Sequence, residues 1–373
     1  MWWVWLLYVL CLVVTVFTSN KLAEYIDALD KKTKISGAFL GGILLAGITS
    51  LPELITSITS AILKQPEMTL GNILGSDVFD IAIIGVLMLV FFKRSLGKKV
   101  SKSNIIICAF TLIVSALILL CAIFDWKIVI PAINVNILTP VILVLYVVAI
   151  WFSQKAEGNT DTKLQETQND TNEKLTNAEI KGEQTEIKID NRPASKPATD
   201  VKVKEVVNKA EALEVKQIVW RFILLAFVLI GVSVAMTYLV DSIATTYNLG
   251  RGLAGALFLG IATSLPEIIS SFTLVRLGNF DSAYGNLLGS CLFNFGVIAF
   301  ADICYTNGTV FLTDLQSIIL SACLVVACIM ALVFGISRRQ NSKYKNSIIL
   351  QIVSGVVITL AYIVFLILSV TIL

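Results

Sequence analysis

The sequence predicts an all-α integral membrane protein: ten transmembrane helices forming two inverted-topology five-helix repeats, with broken helices at the midplane. Three observations lead there. Of 373 residues, 56% are hydrophobic and only 15% charged, where a soluble domain carries about a quarter charged residues. Apolar runs of about 20 residues, enough to cross the hydrocarbon core, recur along the whole chain. Two 45-residue stretches also align without a gap, with identical motifs at matching positions.

Hydropathy places the helices near 2–18, 35–63, 68–92, 103–124, 128–152, 218–240, 250–275, 281–304, 313–337 and 346–372. The run from Trp2 to Phe17 has no basic leader and no small-residue cleavage site, so it reads as a first membrane helix rather than a signal peptide. Between the fifth and sixth helices lies a polar stretch from Ser153 to Gln217 with no Phe, Tyr or Trp. Such a composition buries too little apolar surface to offset the entropy of ordering, so a mostly disordered linker is expected, with Val201 to Val215 suited to a short helix. The chain thus divides into a first membrane repeat (1–152), a linker (153–217) and a second membrane repeat (218–373).

Basic residues orient the helices. Lys21, Lys31, Lys32 and Lys34 fall in the first loop, Lys93, Arg94, Lys98, Lys99 and Lys102 in the third, and Arg338, Arg339, Lys343 and Lys345 in the last. The linker is also rich in lysine. The alternate loops hold only Lys64, Lys127 and Arg251. By the positive-inside rule the linker is cytoplasmic and both termini are extracellular, in a cell membrane.

Composition also excludes. The chain has no histidine, which removes the commonest zinc ligand and the commonest general base. Its seven cysteines lie in apolar segments without a CxxC pair, as small buried apolar residues do. A net charge of +3 without a basic patch gives no nucleic-acid partner. No cofactor and no obligate protein partner are indicated, so a monomer in the lipid bilayer is expected.

The repeat aligns 41–85 with 255–299 without a gap, at eighteen identities. Thr49-Ser50-Leu51-Pro52-Glu53 returns as Thr263-Ser264-Leu265-Pro266-Glu267. Gly71-Asn72-Ile73-Leu74-Gly75-Ser76 returns as Gly285-Asn286-Leu287-Leu288-Gly289-Ser290. Five spans separate the copies, and an odd number makes them cross in opposite senses, the layout of transporters whose substrate sits at the repeat interface. A carboxylate at the bilayer centre costs at least about 2.5–3.5 kcal/mol, and a packing motif alone would not keep one in both copies.

Thr49, Ser50, Glu53 and Ser57 form one polar stripe on their helix. Pro52 lacks an amide and crowds the carbonyl four residues back, so the backbone around Gly47 to Thr49 should open; Pro266 should do the same near Ala262 and Thr263. On the next helix Asn72, Ser76 and Asp80 share a face beside Gly71 and Gly75, a pair that lets a neighbouring backbone approach. Their counterparts are Asn286, Ser290 and Asn294, with Gly285 and Gly289. The combined donors are Glu53, Glu267 and Asp80, the Asn294 amide, the hydroxyls of Ser50, Ser76, Ser264 and Ser290, and freed carbonyls. All are oxygens, which suits a hard cation, calcium above magnesium. Three carboxylates in a low-dielectric core must hold one divalent ion, several monovalent ions or protons. Mutual exclusion among those occupants is the physical basis of exchange.

At these residues the chain resembles the sodium/calcium exchanger branch of the cation/calcium exchanger superfamily, whose repeats read close to GTSLPE followed by GNxxGSxxxN or GNxxGSxxxD. The resemblance covers both repeats and the ten-span layout. It implies alternating access, with the first and sixth spans sliding against the other eight, and Ca²⁺ leaving the cytoplasm against inward Na⁺. Carried over by position, the metal ligands are Glu53, Glu267, Thr49, Ser50, Thr263, Ser264, Ser76, Ser290, Asp80 and Asn294. Ile48 and Ala262 stand where the family has glycine, and Asp80 and Asn294 are exchanged relative to one familiar arrangement. Asp77 adds an acid where the second repeat has Cys291, and it is left outside the site. The proton-coupled branch carries a GNxxE-His signature that this chain lacks, which favours Na⁺. The rivals are H⁺ or K⁺ coupling on the same fold, an intramembrane hydrolase, and a scaffold without transport.

Overall fold

The computed structural model describes residues 2–33, 49–95, 98–126, 128–130, 135–156, 213–276, 278–340 and 344–371. Ten helices appear in chain order: α1 (Trp2–Thr33), α2 (Leu51–Ile62), α3 (Pro66–Val90), α4 (Lys102–Phe124) and α5 (Leu138–Ala156) in the first repeat. The second holds α6 (Val215–Thr246), α7 (Arg251–Arg276), α8 (Phe280–Cys304), α9 (Leu315–Gln340) and α10 (Tyr344–Thr371). Nine are long and apolar enough to span a membrane, and α2 is a shorter apolar helix. The 34–48 part of the expected second span lies outside the described residues, as do Gly47 and Ile48, most of the linker and, of its expected helix over Val201 to Val215, residues 201–212.

Two boundaries differ from the sequence expectation. Helix α1 runs on through Thr18, Ser19 and Lys21 to Thr33, and the Thr18 hydroxyl is satisfied within the helix, Oγ1 donating to Val14 O at 2.6 Å. Lys21, expected in a loop, pairs with Glu24 one turn later at 2.6 Å. The fifth span begins ten residues later than 128, at Leu138, because β1 (Val129–Ile130) and β2 (Val135–Asn136) form a short antiparallel hairpin first. Buried Asp302 of α8 holds the hairpin down, accepting from Asn136 N at 3.1 Å and Thr139 Oγ1 at 2.5 Å.

Helices α3 and α8 are the centre of the molecule: 72% of each span is buried, against 28% for α1 and for α6. Nearly every side chain of α3 faces protein, so its sequence is apolar or small all round rather than amphipathic. Helices α1 and α6 pack chiefly on each other at the periphery and turn residues such as Leu6, Leu10, Leu224 and Phe227 outward, as lipid-facing helices do.

The repeat is legible in the backbone. Both α2–α3 and α7–α8 are joined by the same left-handed turn. Lys64 (φ 60°) bonds to Ala61 O and Gln65 N to Ser60 O. Gly278 (φ 84°) bonds to Val275 O and Asn279 N to Leu274 O. This is one helix C-terminal motif, used twice.

Candidate cation site

The acids reach the core by different local routes. Helix α2 starts at Leu51 with Ser50 as its N-cap residue, so Pro52 sits in the first turn, where a missing amide costs nothing, and Glu53 follows it. In the second repeat the helix from Gly260 to Arg276 runs straight through Pro266, and the irregularity falls earlier, as a π-helical turn over Gly255–Leu259. The interruption is therefore a helix start in one repeat and a π turn in the other; the opening expected at Ala262 and Thr263 does not occur there.

Close backbone approach accompanies that π turn. A Cβ on Gly71 would lie 2.1 Å from Gly252 O, one on Gly75 2.4 Å from Ala256 Cα, and one on Gly255 2.5 Å from Met68 O. Helices α3 and α7 thus touch backbone to backbone over two turns, as the Gly71–Gly75 spacing predicts. The equivalent Gly285 instead meets the side chain of Asn104.

The second set of polar residues divides between clamping and facing. Asn72 Nδ2 donates to Thr56 Oγ1 and Ser57 Oγ at 2.9 and 2.8 Å, tying α3 to α2. Asn286 Nδ2 repeats this with Ser270 Oγ and Ser271 Oγ, both at 3.0 Å, tying α8 to α7. These amides fix each helix pair, and the residues one turn on meet across the repeats. Ser50 Oγ lies 3.4 Å from both Glu267 Oε1 and Ser290 Oγ. Asn294 Nδ2 donates to Ser76 Oγ at 3.0 Å. Thr263 faces Glu53 and Thr49 faces Glu267; Ser264 and Ser290 face Asp80. All ten residues named from sequence are brought to this boundary.

Such reciprocity, with i meeting j and j's equivalent meeting i's, is what a two-fold relation gives. Its axis passes beside Asp77 and Cys291, equivalent residues 214 apart whose Sγ···O contact is 3.7 Å. Asp77, left outside the site on sequence grounds, is fully buried and accepts from Asn294 Nδ2 at 2.8 Å. The missed signal was its spacing: Asp77 and Asp80 are three apart on one helix and share a face.

Glu53, Asp77, Asp80 and Glu267 are each fully buried, and Glu53 and Asp80 act electrostatically on the others. No lysine or arginine lies within α2, α3 or α8, and those of α7 are its end residues Arg251 and Arg276. Both oxygens of Glu53 and of Asp80, Oε2 of Glu267, Oγ of Ser264 and Oδ1 of Asn294 are buried without a hydrogen-bond partner. Unpaired buried carboxylates cost several kcal/mol each, so the group needs a compensating positive charge. Among the described residues, no three acids or thiols stand close enough to form a cage by themselves. A shell here is mixed, drawing on hydroxyl and amide oxygens as well as acids, which suits the long, adaptable bonds of a calcium-like ion.

A sequence profile described as sodium/calcium exchanger protein matches residues 3–155 and 217–371, both membrane halves without the linker. The chain belongs to this family. It is a multi-pass membrane antiporter, not an enzyme. Inner membrane protein YrbG of Escherichia coli (strain K12) is 22% identical over 302 residues, covering 80% of this chain and 79% of that one. Among solved structures, the H⁺/Ca²⁺ exchanger CAX is similar with a TM-score of 0.64, 15% identity, and coverage of 99% and 87% of the two chains. Native YfkE gives 0.62 at 13%, covering 96% and 90%. The sodium-calcium exchanger NCX_Mj gives 0.52 at 17%, covering 96% of each. At these identities the likeness is one of fold.

Proposed function

We propose that this protein exchanges Na⁺ for Ca²⁺ by alternating access. The carrying observation is the group of buried acids drawn from both repeats, most of whose oxygens have no hydrogen-bond partner and whose own helices carry no basic residue except at the ends of α7. One Ca²⁺ or several Na⁺ neutralise the same carboxylates, so one occupant excludes the other, and that exclusion couples the fluxes. The ligands are Glu53, Glu267, Asp80, Asn294, Thr49, Ser50, Thr263, Ser264, Ser76 and Ser290. The membrane units are 1–152 and 218–373, with a cytoplasmic linker between them and both termini extracellular. Helices α1 and α6 are the moving pair, supported by their mutual packing.

The absence of histidine and of an acid-histidine pair after Gly71-Asn72 favours Na⁺ over H⁺. Purified protein in liposomes decides. An outward-to-inward Na⁺ gradient should drive ⁴⁵Ca²⁺ movement by at least about tenfold over a K⁺ gradient of equal size, at matched pH on both sides. Flux that follows a pH gradient and ignores Na⁺ overturns the coupling and leaves the antiporter.

A further inference from the structure

The residues beside the two-fold axis differ in one way that the repeat itself does not explain. Positions 77 and 294 meet, and so, by the two-fold, do positions 291 and 80. The first pair is Asp77 with Asn294, and the second is Cys291 with Asp80. Each pair holds one acid. An asparagine amide presents two different ends, and only its oxygen can bind a cation. A carboxylate presents two equivalent oxygens and needs no such choice. The amide is also the one with an acid against it.

Asn294 is fully buried, and its Nδ2 has two hydrogens. Ser76 Oγ at 3.0 Å and Asp77 Oδ1 at 2.8 Å take both. A carboxyl group has no N–H, and a carboxylate can only accept. The nitrogen end therefore turns to Asp77, and Oδ1 is left as the end without a protein partner. Across the axis, Cys291 spends its sulfur on the Asp77 backbone carbonyl at 3.7 Å, and both Asp80 oxygens stay unpartnered.

The geometry points to Asp77 as a positioning residue: it fixes the flip of the Asn294 amide so that Oδ1, not the nitrogen, faces the cation. Its Oδ2 has no hydrogen-bond partner, and the role assigned to Asp77 is to orient the amide through Oδ1. This rests on Asn294 being a ligand, and it adds that the second repeat's amide is usable only because the first repeat supplies an acid opposite it.

The test is the KM for Ca²⁺ in liposome flux, with second-site rescue. Asp77→Ala frees the amide to turn its nitrogen inward, and KM should rise about tenfold or more, since a donor facing a cation removes a charge-assisted ligand. Asn294→Asp in that background supplies an oxygen whichever way it turns and should bring KM back to within about threefold of the unaltered protein. Simple loss of packing at position 77 would not be rescued this way. Asp77→Asn, which preserves size and guards against misfolding, still offers an acceptor oxygen and should raise KM by less than about threefold. An unchanged KM in Asp77→Ala, or no recovery with Asn294→Asp in a correctly assembled protein, overturns the inference. A Glu53→Gln control separates the layers. If it transports normally, the site itself is misplaced; if it is dead while Asp77→Ala is normal, only the positioning role fails.

Discussion

Helix pairs α2–α3 and α7–α8 are two solutions to one structural problem written in one motif. Both place a glutamate after a proline, both close on the same left-handed turn, and both tie their helices with an asparagine on two hydroxyls. They part at the interface. Helix α3 lies backbone to backbone against α7 through Gly71 and Gly75, whereas Gly285 on α8 meets a side chain. The first repeat brings Asp77 and Asp80 where the second has Cys291 and Asn294. Symmetry fixes where the oxygens converge, and asymmetry fixes how much charge arrives.

The largest effect should test the symmetric part. Glu53→Gln and Glu267→Gln each keep size and hydrogen bonding but remove a charge that a cation must meet. Each should lower Na⁺-driven ⁴⁵Ca²⁺ flux to background, about a hundredfold or more if one buried charge-assisted contact is worth about 3 kcal/mol. Size-exclusion profiles in detergent should stay normal. A mutant of either that keeps near-normal flux breaks the equivalence of the repeats.

The glycines come next and should behave unequally. Gly71→Ala places a methyl 2.1 Å from the Gly252 carbonyl oxygen, so two backbones must part. Overpacking of this kind costs about 1–3 kcal/mol or more. Gly285→Ala meets Asn104 Oδ1 at 2.5 Å, the end of a side chain that can swing away. It should cost about 1 kcal/mol, as Asn104 gives up a hydrogen bond to Asp281 when it swings away. Thermal unfolding in detergent should rank them in that order, and equal losses would mean that α8 is packed as tightly as α3.

Much of this is legible in the sequence. Seven of the ten helices fall within about six residues of their hydropathy spans at both ends, because an apolar run of this length has no other use. The repeat named Glu53, Glu267, Asp80 and Asn294 because buried acids are costly enough to stand out. What stayed hidden depends on contacts between repeats or within one helix pair. Asn72 sits on the same face of α3 as Asp80, and spacing alone could not show that it bonds Thr56 and Ser57 of α2 while Asp80 meets the other repeat. Asp77 was set aside for the same reason, since its partner Asn294 is 217 residues away. Pro266 was read as a break because proline removes an amide, yet α7 absorbs it and shifts the irregular turn to where α3 presses on its glycines.

The two asparagine clamps should weaken the protein alike but not equally. Asn72→Ala strips two bonds from a fully buried site and should cost about 2–3 kcal/mol, while Asn286→Ala, in a partly exposed one, should cost about 1–2 kcal/mol. Unfolding midpoints measured side by side check the order. A reversal would mean that Asn72 carries strain the geometry does not show.

The smallest effect lies in the shared turn, where sequence differs and backbone does not. Lys64 holds φ at 60°, a left-handed conformation that crowds its Cβ by about 1–2 kcal/mol, and Gly278 takes the same place without that cost. Gly in the unfolded chain returns part of the gain through its greater freedom, about 0.4–1 kcal/mol. Lys64→Gly should therefore stabilise by about 0.5–1 kcal/mol and leave flux unchanged, because Lys64 is exposed and far along α2 from Glu53. Gly278→Lys should destabilise by a similar amount. If Lys64→Gly instead lowers stability, lysine at that turn is held by something beyond backbone geometry, and the two turns are alike in shape only.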